Sequence, residues 1–242
     1  MRKHRFYYDN HLNLQQDVTL AADLSHQVSR VLRLQPQDQI YLFNNSNVEF
    51  GAIIKQITRN TVTVTICDSN NIDNESPLKI NLGQVITKNE KMDLIIQKST
   101  ELGVHSITPL GSEFSIMKHD HARIDHKIEH WQKVAIAACC QCWRNTVPTI
   151  HHAATLTAWI DKNKDPQRLI LSPHNTTIKL SSIDLQSPIS ILIGPEGGFS
   201  DAEVNYALEH GFNPISLGPR ILRTETAGPA AIAILQAMGG DL

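Results

Sequence analysis

Cysteine is scarce and poorly placed for cross-links: the 242 residues contain four, Cys67, Cys139, Cys140 and Cys142, three of them crowded together. This excludes a disulfide framework and fits a reducing compartment. No apolar run approaches the roughly 18 residues a membrane span needs, and the opening MRKHRFYYDNH leads into no apolar secretory segment. A cytoplasmic location and no membrane partner are therefore expected. Excess positive charge is missing too. With 22 Lys and Arg against 24 Asp and Glu the net charge is -2, so contact with nucleic acid requires a local patch. The segment GPEGGF has no lysine and no GKS or GKT, so it lacks the cation and the hydroxyl of a phosphate loop. The dinucleotide fingerprint GxGxxG is also absent.

Metal has little support. Cys139, Cys140 and Cys142 follow VAIAA on a helical stripe without a second paired-ligand motif, which reads as small buried hydrophobes. His126 and His130 lie at i, i+4 but lack the intervening glutamate of a zincin, so a solvated helix face is expected and no metal.

What is present is 41% hydrophobic residues in two rhythms. Up to about residue 72, QIYLF, VEFGAII and TVTVTI are short β-type runs separated by turn clusters, which predicts a small β-barrel over 1–72. One helix is expected from Asp23 to Leu34, with Leu24, Val28, Val31 and Leu32 on one face. The polar stretch Ser69 to Pro77 reads as a linker. From 73 to 242 apolar strands alternate with helices, the pattern of an α/β domain with a parallel sheet. KINLGQVI and VHSITPL are strands; EKMDLIIQKSTELG is a helix closed by Gly103, and a long helix runs from about Arg123 to Cys142. DKNKDPQ, residues 161–167, reads as a loop, and Pro229 to Met238 as an apolar helix.

In the last third, three apolar strands each end in a small residue followed by proline: LILSP, ILIGP and ISLGP. Proline cannot donate to a sheet ladder and biases its predecessor away from helix, so the strands stop abruptly there. Between the second and third, Ser200 and Glu203 form a capping box and Gly211 closes the helix. A helical crossover makes ILIGP and ISLGP parallel, which brings both Gly-Pro loops to one carboxyl edge of the sheet, where open α/β sheets bind ligands. Ile221 and Leu222 offer apolar surface to an adenine ring. Arg220 and Arg223 either hold an anionic substrate or pair with Glu196 or Glu225.

The blocks KMDLIIQKSTELGVHSITPL, HWQKVAIAACCQCWRNTVP, LILIGPEGGFS and LGPRILRTETA resemble the RsmE family, the 16S ribosomal RNA (uracil-N3)-methyltransferases of the SPOUT class, and HRFYYDNHL with HQVSRVLRLQPQDQIYLF is similar to that family's PUA-like RNA-binding barrel. The resemblance implies a C-terminal SPOUT-type domain with a trefoil knot, S-adenosylmethionine as cofactor, a homodimer, and 16S rRNA of the small ribosomal subunit as substrate. The cofactor loops it implies are Leu171, Ser172 and Pro173; Ile193, Gly194, Pro195, Glu196 and Gly198; and Leu217, Gly218, Ile221, Leu222, Arg223 and Thr226. RNA contacts fall on Arg2, Arg5, Arg30, Arg33 and Arg144. Arg223, then Arg220, would stabilise an anionic uracil, while Glu225 and Glu196 either complement a cationic sulfonium or act as base. The chain departs from the family at Phe114, where arginine is usual, and at Cys140-Gln141-Cys142-Trp143, where EQSG or EQCG is usual. A non-catalytic RNA-binding protein on the same fold is the alternative.

Overall fold

Val62, Val64 and Ile66 are wholly buried and the threonines between them half-buried, as a strand with one face on a core requires. The computed structural model describes residues 3–115, 121–172 and 182–242, without the side chains of residues 89 and 121–123. In it the chain forms two compact units, Met1–Glu75 with Cys139–Val147 and Ser76–Ala138 with Pro148–Leu242.

The first unit is built on a five-stranded sheet containing β1 (Arg5–Tyr7), β2 (Asp17–Thr19), β3 (Gln39–Phe43), β4 (Val48–Ile57) and β5 (Val62–Asn71), in the order β1-β3-β4-β5-β2. β1 runs parallel to β3 and the other pairs are antiparallel. Register shifts at Gly51/Ala52 and Ile54/Gln56 interrupt the long β4–β5 ladder, and side chains from all five strands enter one apolar core. The expected helix is shorter than its sequence pattern. α1 (Ala22–His26) passes into a wide π-turn over Gln27–Val31, closed by the Leu32 amide on the Gln27 carbonyl at 2.9 Å. The wider turn leaves Val28 buried but rotates Val31 out of the apolar face to 64% exposure. β5 also takes in Ser69–Asn71, paired with Val48–Phe50, so the polar residues expected to begin the linker are strand.

The second unit carries a sheet whose pairs are all parallel. Its elements are β6 (Ile80–Val85), α2 (Asn89–Glu101), β7 (Ser106–Gly111), α3 (His121–Cys142, whose residues from Cys139 on belong to the first unit), β8 (Thr149–Ile150), β9 (Ala154–Thr155) and α4 (Leu156–Lys162). β10 (Gln167–Leu171), β11 (Ile189–Ile193), α5 (Asp201–Glu209), β12 (Asn213–Ile215) and α6 (Thr224–Gly239) follow. The strand order is β12-β10-β11-β6-β7-β8, with β9 also on β7. β11 is buried at every residue, as a central parallel strand covered on both faces must be. α2 buries Met92, Ile95, Ile96 and Ser99, and just past its end the Gly103 amide donates to the Thr100 carbonyl at 3.1 Å while a left-handed φ of +82° at Gly103 turns the chain away. Asp161 and Lys162, expected in a loop, complete α4. Among the described residues no helix is long and apolar enough to cross a membrane.

β11 and β12 are not hydrogen-bonded neighbours; β10 lies between them, parallel to both. The crossover through α5 therefore passes over β10. All three strand ends still share one edge, because every pair has the same sense.

Candidate cofactor site

At that edge the three strand ends enclose one cavity of about 560 Å³, within the usual range for a small-molecule site. Leu171 and Ser172 enter from β10, Ile193 to Gly198 from β11, and Ser216 and Leu217 with Arg220 to Thr224 from the segment between β12 and α6. Pro195 to Gly198 is a tight turn: the Gly198 amide donates to the Pro195 carbonyl at 3.0 Å and Gly198 takes φ +75°. A side chain at Gly194 would press on the Phe199 ring, with its Cβ 3.1 Å away. The capping box is formed: the Glu203 amide donates to Ser200 Oγ at 3.3 Å and the Ser200 amide to Glu203 Oε2 at 2.9 Å. Glu203 Oε1 also accepts from the Glu113 amide at 2.8 Å, which ties the segment after β7 to the start of α5.

α6 begins at Thr224, five residues before the apolar run that marked it in the sequence, so Pro229 lies inside the helix. The earlier start puts Thr224 and Glu225 in the first turn, with Thr224 on the cavity wall. Thr224 Oγ1 donates to the Gly194 carbonyl at 2.7 Å and accepts from Gln84 Nε2 at 3.1 Å. Gln84, wholly buried in β6, thus supports the glycine loop through Thr224.

Of the cofactor residues implied by resemblance, eleven line this cavity: Leu171, Ser172, Ile193, Gly194, Pro195, Glu196, Gly198, Leu217, Ile221, Leu222 and Arg223. Arg220 lines it as well. Gly218, at φ +111°, and Thr226, whose amide turns back to the Arg223 carbonyl, are exposed and stand outside its walls. Pro173 and Arg2 lie outside the described residues.

Sequence reasoning missed Lys91, in the first turn of α2. Its Nζ lies 2.9 Å from Glu196 Oε1 and 3.3 Å from Glu225 Oε2. The hydrogen bond to Glu196 raises the lysine above its ordinary range and holds Glu196 below the usual carboxylate range. Glu225 is lowered first by its own backbone amide and then by Lys91. The partner of both carboxylates is thus Lys91, where the sequence had offered Arg220 and Arg223. Only its place in the lysine-rich start of α2 was visible, and its partners are 105 and 134 positions away.

Two arginines assigned to RNA have other work. Arg5 has a side chain 1% exposed, with Nε 2.7 Å from Glu49 Oε2, Nη1 donating to the Cys139 carbonyl at 2.9 Å and Nη2 to Asn145 Oδ1 at 2.6 Å. Arg144, 6% exposed at the side chain, pairs with Glu75 at 2.5 Å. The Arg5 guanidinium is spent on a buried ion pair and that of Arg144 on a partly buried one, and neither is exposed to a ligand in solvent. Arg30 and Arg33 are exposed, within and just after the π-turn.

The cavity fits S-adenosylmethionine: Leu171, Ile193, Ile221 and Leu222 give apolar wall for an adenine ring, the glycines admit the ligand close to backbone, and the Glu196 carboxylate on the wall answers a cation. Residues 74–236 match the RNA methyltransferase domain family and residues 30–67 the RNA methyltransferase PUA domain. The ribosomal RNA small subunit methyltransferase E of Buchnera aphidicola subsp. Schizaphis graminum is 39% identical over 239 residues, covering 98% of this chain and 97% of the relative. A Legionella pneumophila protein solved with the bound cofactor SAM superposes with a TM-score of 0.97 at 40% identity over 100% of both chains. The Neisseria gonorrhoeae ribosomal RNA small subunit methyltransferase E, solved bound to S-adenosyl methionine, gives 0.93 at 36% identity, again over 100% of both. The chain belongs to the ribosomal RNA small subunit methyltransferase E family.

Proposed function

We propose that this protein transfers the methyl group of S-adenosylmethionine to N3 of a specific uridine in 16S ribosomal RNA, as a cytoplasmic homodimer whose cofactor loops form a trefoil knot. The observation that carries the chemistry is the convergence of three parallel strand ends on one cavity, in a chain alignable end to end with relatives solved with that cofactor. The knot and the dimer rest on the family resemblance, and the location is the expectation drawn from the sequence.

When bound, S-adenosylmethionine supplies an electrophilic methyl on a sulfonium, and no metal is needed. The chain's own residues supply position and charge. The turn from Pro195 to Gly198 and the segment from Leu217 to Leu222 hold the nucleoside, and Thr224 fixes the Gly194 carbonyl between them. The uracil imide gives up its proton to water, and Arg223, with Arg220 beside it, stabilises the charge left on the base oxygens. Glu196 and Glu225 face the cation as carboxylates. Arg30 and Arg33 form the RNA-facing patch on the first unit.

Calorimetry with S-adenosylmethionine, followed by mass mapping of small-subunit RNA treated with the protein, tests the reading. Saturable binding and a new N3-methyluridine are expected. Absence of binding overturns it, and binding without transfer selects the non-catalytic alternative. For the patch, replacing Arg30 and Arg33 with Gln weakens binding to 16S rRNA fragments in fluorescence anisotropy. It also flattens the plot of log K against log salt by about 0.7–0.9 per arginine. An unchanged slope removes these residues from the interface.

A further inference from the structure

Lys91 connects three separate pieces of the cavity: its own helix α2, the loop after β11 through Glu196, and the first turn of α6 through Glu225. The lysine side chain is 26% exposed, Glu196 38% and Glu225 15%, so the cluster is shielded but reachable from the cavity that all but Glu225 line. The two contact distances cap the separation of the contacting carboxylate oxygens at about 6 Å, close enough for each charge to oppose ionisation of the other. With the ammonium between them, both carboxylates remain charged. The three groups then sum to a single negative charge, presented to the cavity through Glu196.

We propose that Lys91 is a positioning residue for the cofactor: its ammonium clamps Glu196 and Glu225 as one fixed carboxylate pair whose surplus negative charge complements the sulfonium. This rests on the cofactor reading above. It also decides between the two roles open to Glu225. A carboxylate held ionised by its own amide and by Lys91 is a poor acceptor for an imide proton, and serves as counter-charge instead. The other charged groups bearing on the pair are Lys88 on the Glu196 side and Arg223 on the Glu225 side, with Arg220 and Asp201 on the cavity wall. No histidine is among the lining residues described.

Removal of the clamp has a signature that loss of a merely structural contact lacks. In K91Q the two carboxylates face each other unmediated, and one of them takes up a proton in mild acid. The cationic cofactor loses its counter-charge there, whereas S-adenosylhomocysteine, with a neutral sulfur, does not depend on it. Calorimetric Kd values for both ligands are measured on the full chain from about pH 5.5 to 8. Wild type and K91R are expected to bind S-adenosylmethionine with a nearly constant Kd. In K91Q, and in K91M carried alongside against a folding defect peculiar to one side chain, affinity falls about tenfold toward the acid end. The homocysteine product shows no such fall, and adding E196Q to K91Q abolishes the slope. If Kd in K91Q tracks wild type at every pH, or drops equally for both ligands at every pH, the clamp is overturned. Wild-type protein that binds no S-adenosylmethionine overturns the functional reading itself, and the clamp with it.

Discussion

Arg223→Ala lowers kcat for methyl transfer to 16S rRNA by about 10²–10³-fold, the equivalent of about 3–4 kcal/mol of charge stabilisation lost where charge develops. The effect falls on kcat because the guanidinium matters most once the imide proton has gone and negative charge has spread onto the base oxygens. Folding is spared for a local reason. Arg223 is the N-cap of α6 through its backbone alone: its carbonyl accepts the amides of Thr226 and Ala227, both at 2.9 Å, and its side chain makes no capping bond. An alanine keeps those bonds, and an exposed truncation of this kind shifts stability by no more than about 0.5 kcal/mol. Transfer of labelled methyl, analysed for kcat and KM separately beside a thermal melt, checks both halves. A variant with unchanged kcat removes Arg223 from the chemistry. One with an unchanged kcat and a raised KM reassigns it to uniform binding of cofactor or RNA.

The placing of Arg223 and the misplacing of Arg5 show what kind of information this sequence carries. The strand ends LILSP, ILIGP and ISLGP were legible because proline and glycine act on their own backbone, so the punctuation is local. The capping box of Ser200 and Glu203 was legible for the same reason, its partners being three residues apart. Parallel strands then carried the loops to one edge without any knowledge of strand order, which is why the interposed β10 left the site reading intact. The length of the helix after Ala22 was not legible, because spacing alone does not distinguish continued α-helix from a π-turn that swings Val31 outward. Side chains that act over long separations were hidden altogether. Nothing near Lys91 announces Glu196 or Glu225, and nothing near Arg5 announces Glu49 or Asn145, 44 and 140 positions away. An arginine near the start of an RNA-binding unit looks like a phosphate contact until burial is known.

Arg5→Ala destabilises the first unit by about 3–5 kcal/mol, the cost of removing one member of a buried ion pair. Glu49, 2% exposed, would be left buried without its cation, Asn145 Oδ1 would lose the guanidinium donor, and the Cys139 carbonyl would keep only the Trp143 amide. Packing is lost as well, because the guanidinium lies 4.8 Å from the ring centre of Phe43 and 5.0 Å from that of Trp143. Trp143 holds a left-handed φ of +71° in the turn before Asn145, and its ring covers the Arg5 guanidinium. Lysine is no substitute, since Nε, Nη1 and Nη2 each serve a different acceptor and a single nitrogen cannot stand in all three places. A well-packed apolar pair, Arg5→Met with Glu49→Leu, should recover much of the loss, because neither charge is then left buried alone. Denaturant unfolding followed by amide hydrogen exchange in β3 and β4 reports on this unit, since fluorescence would add Trp131 and Trp159 of the second unit to its one tryptophan, Trp143. Should Arg5→Ala unfold within about 0.5 kcal/mol of wild type while losing RNA affinity with a shallower salt slope, the guanidinium is a phosphate contact after all and the buried pair is not what holds it.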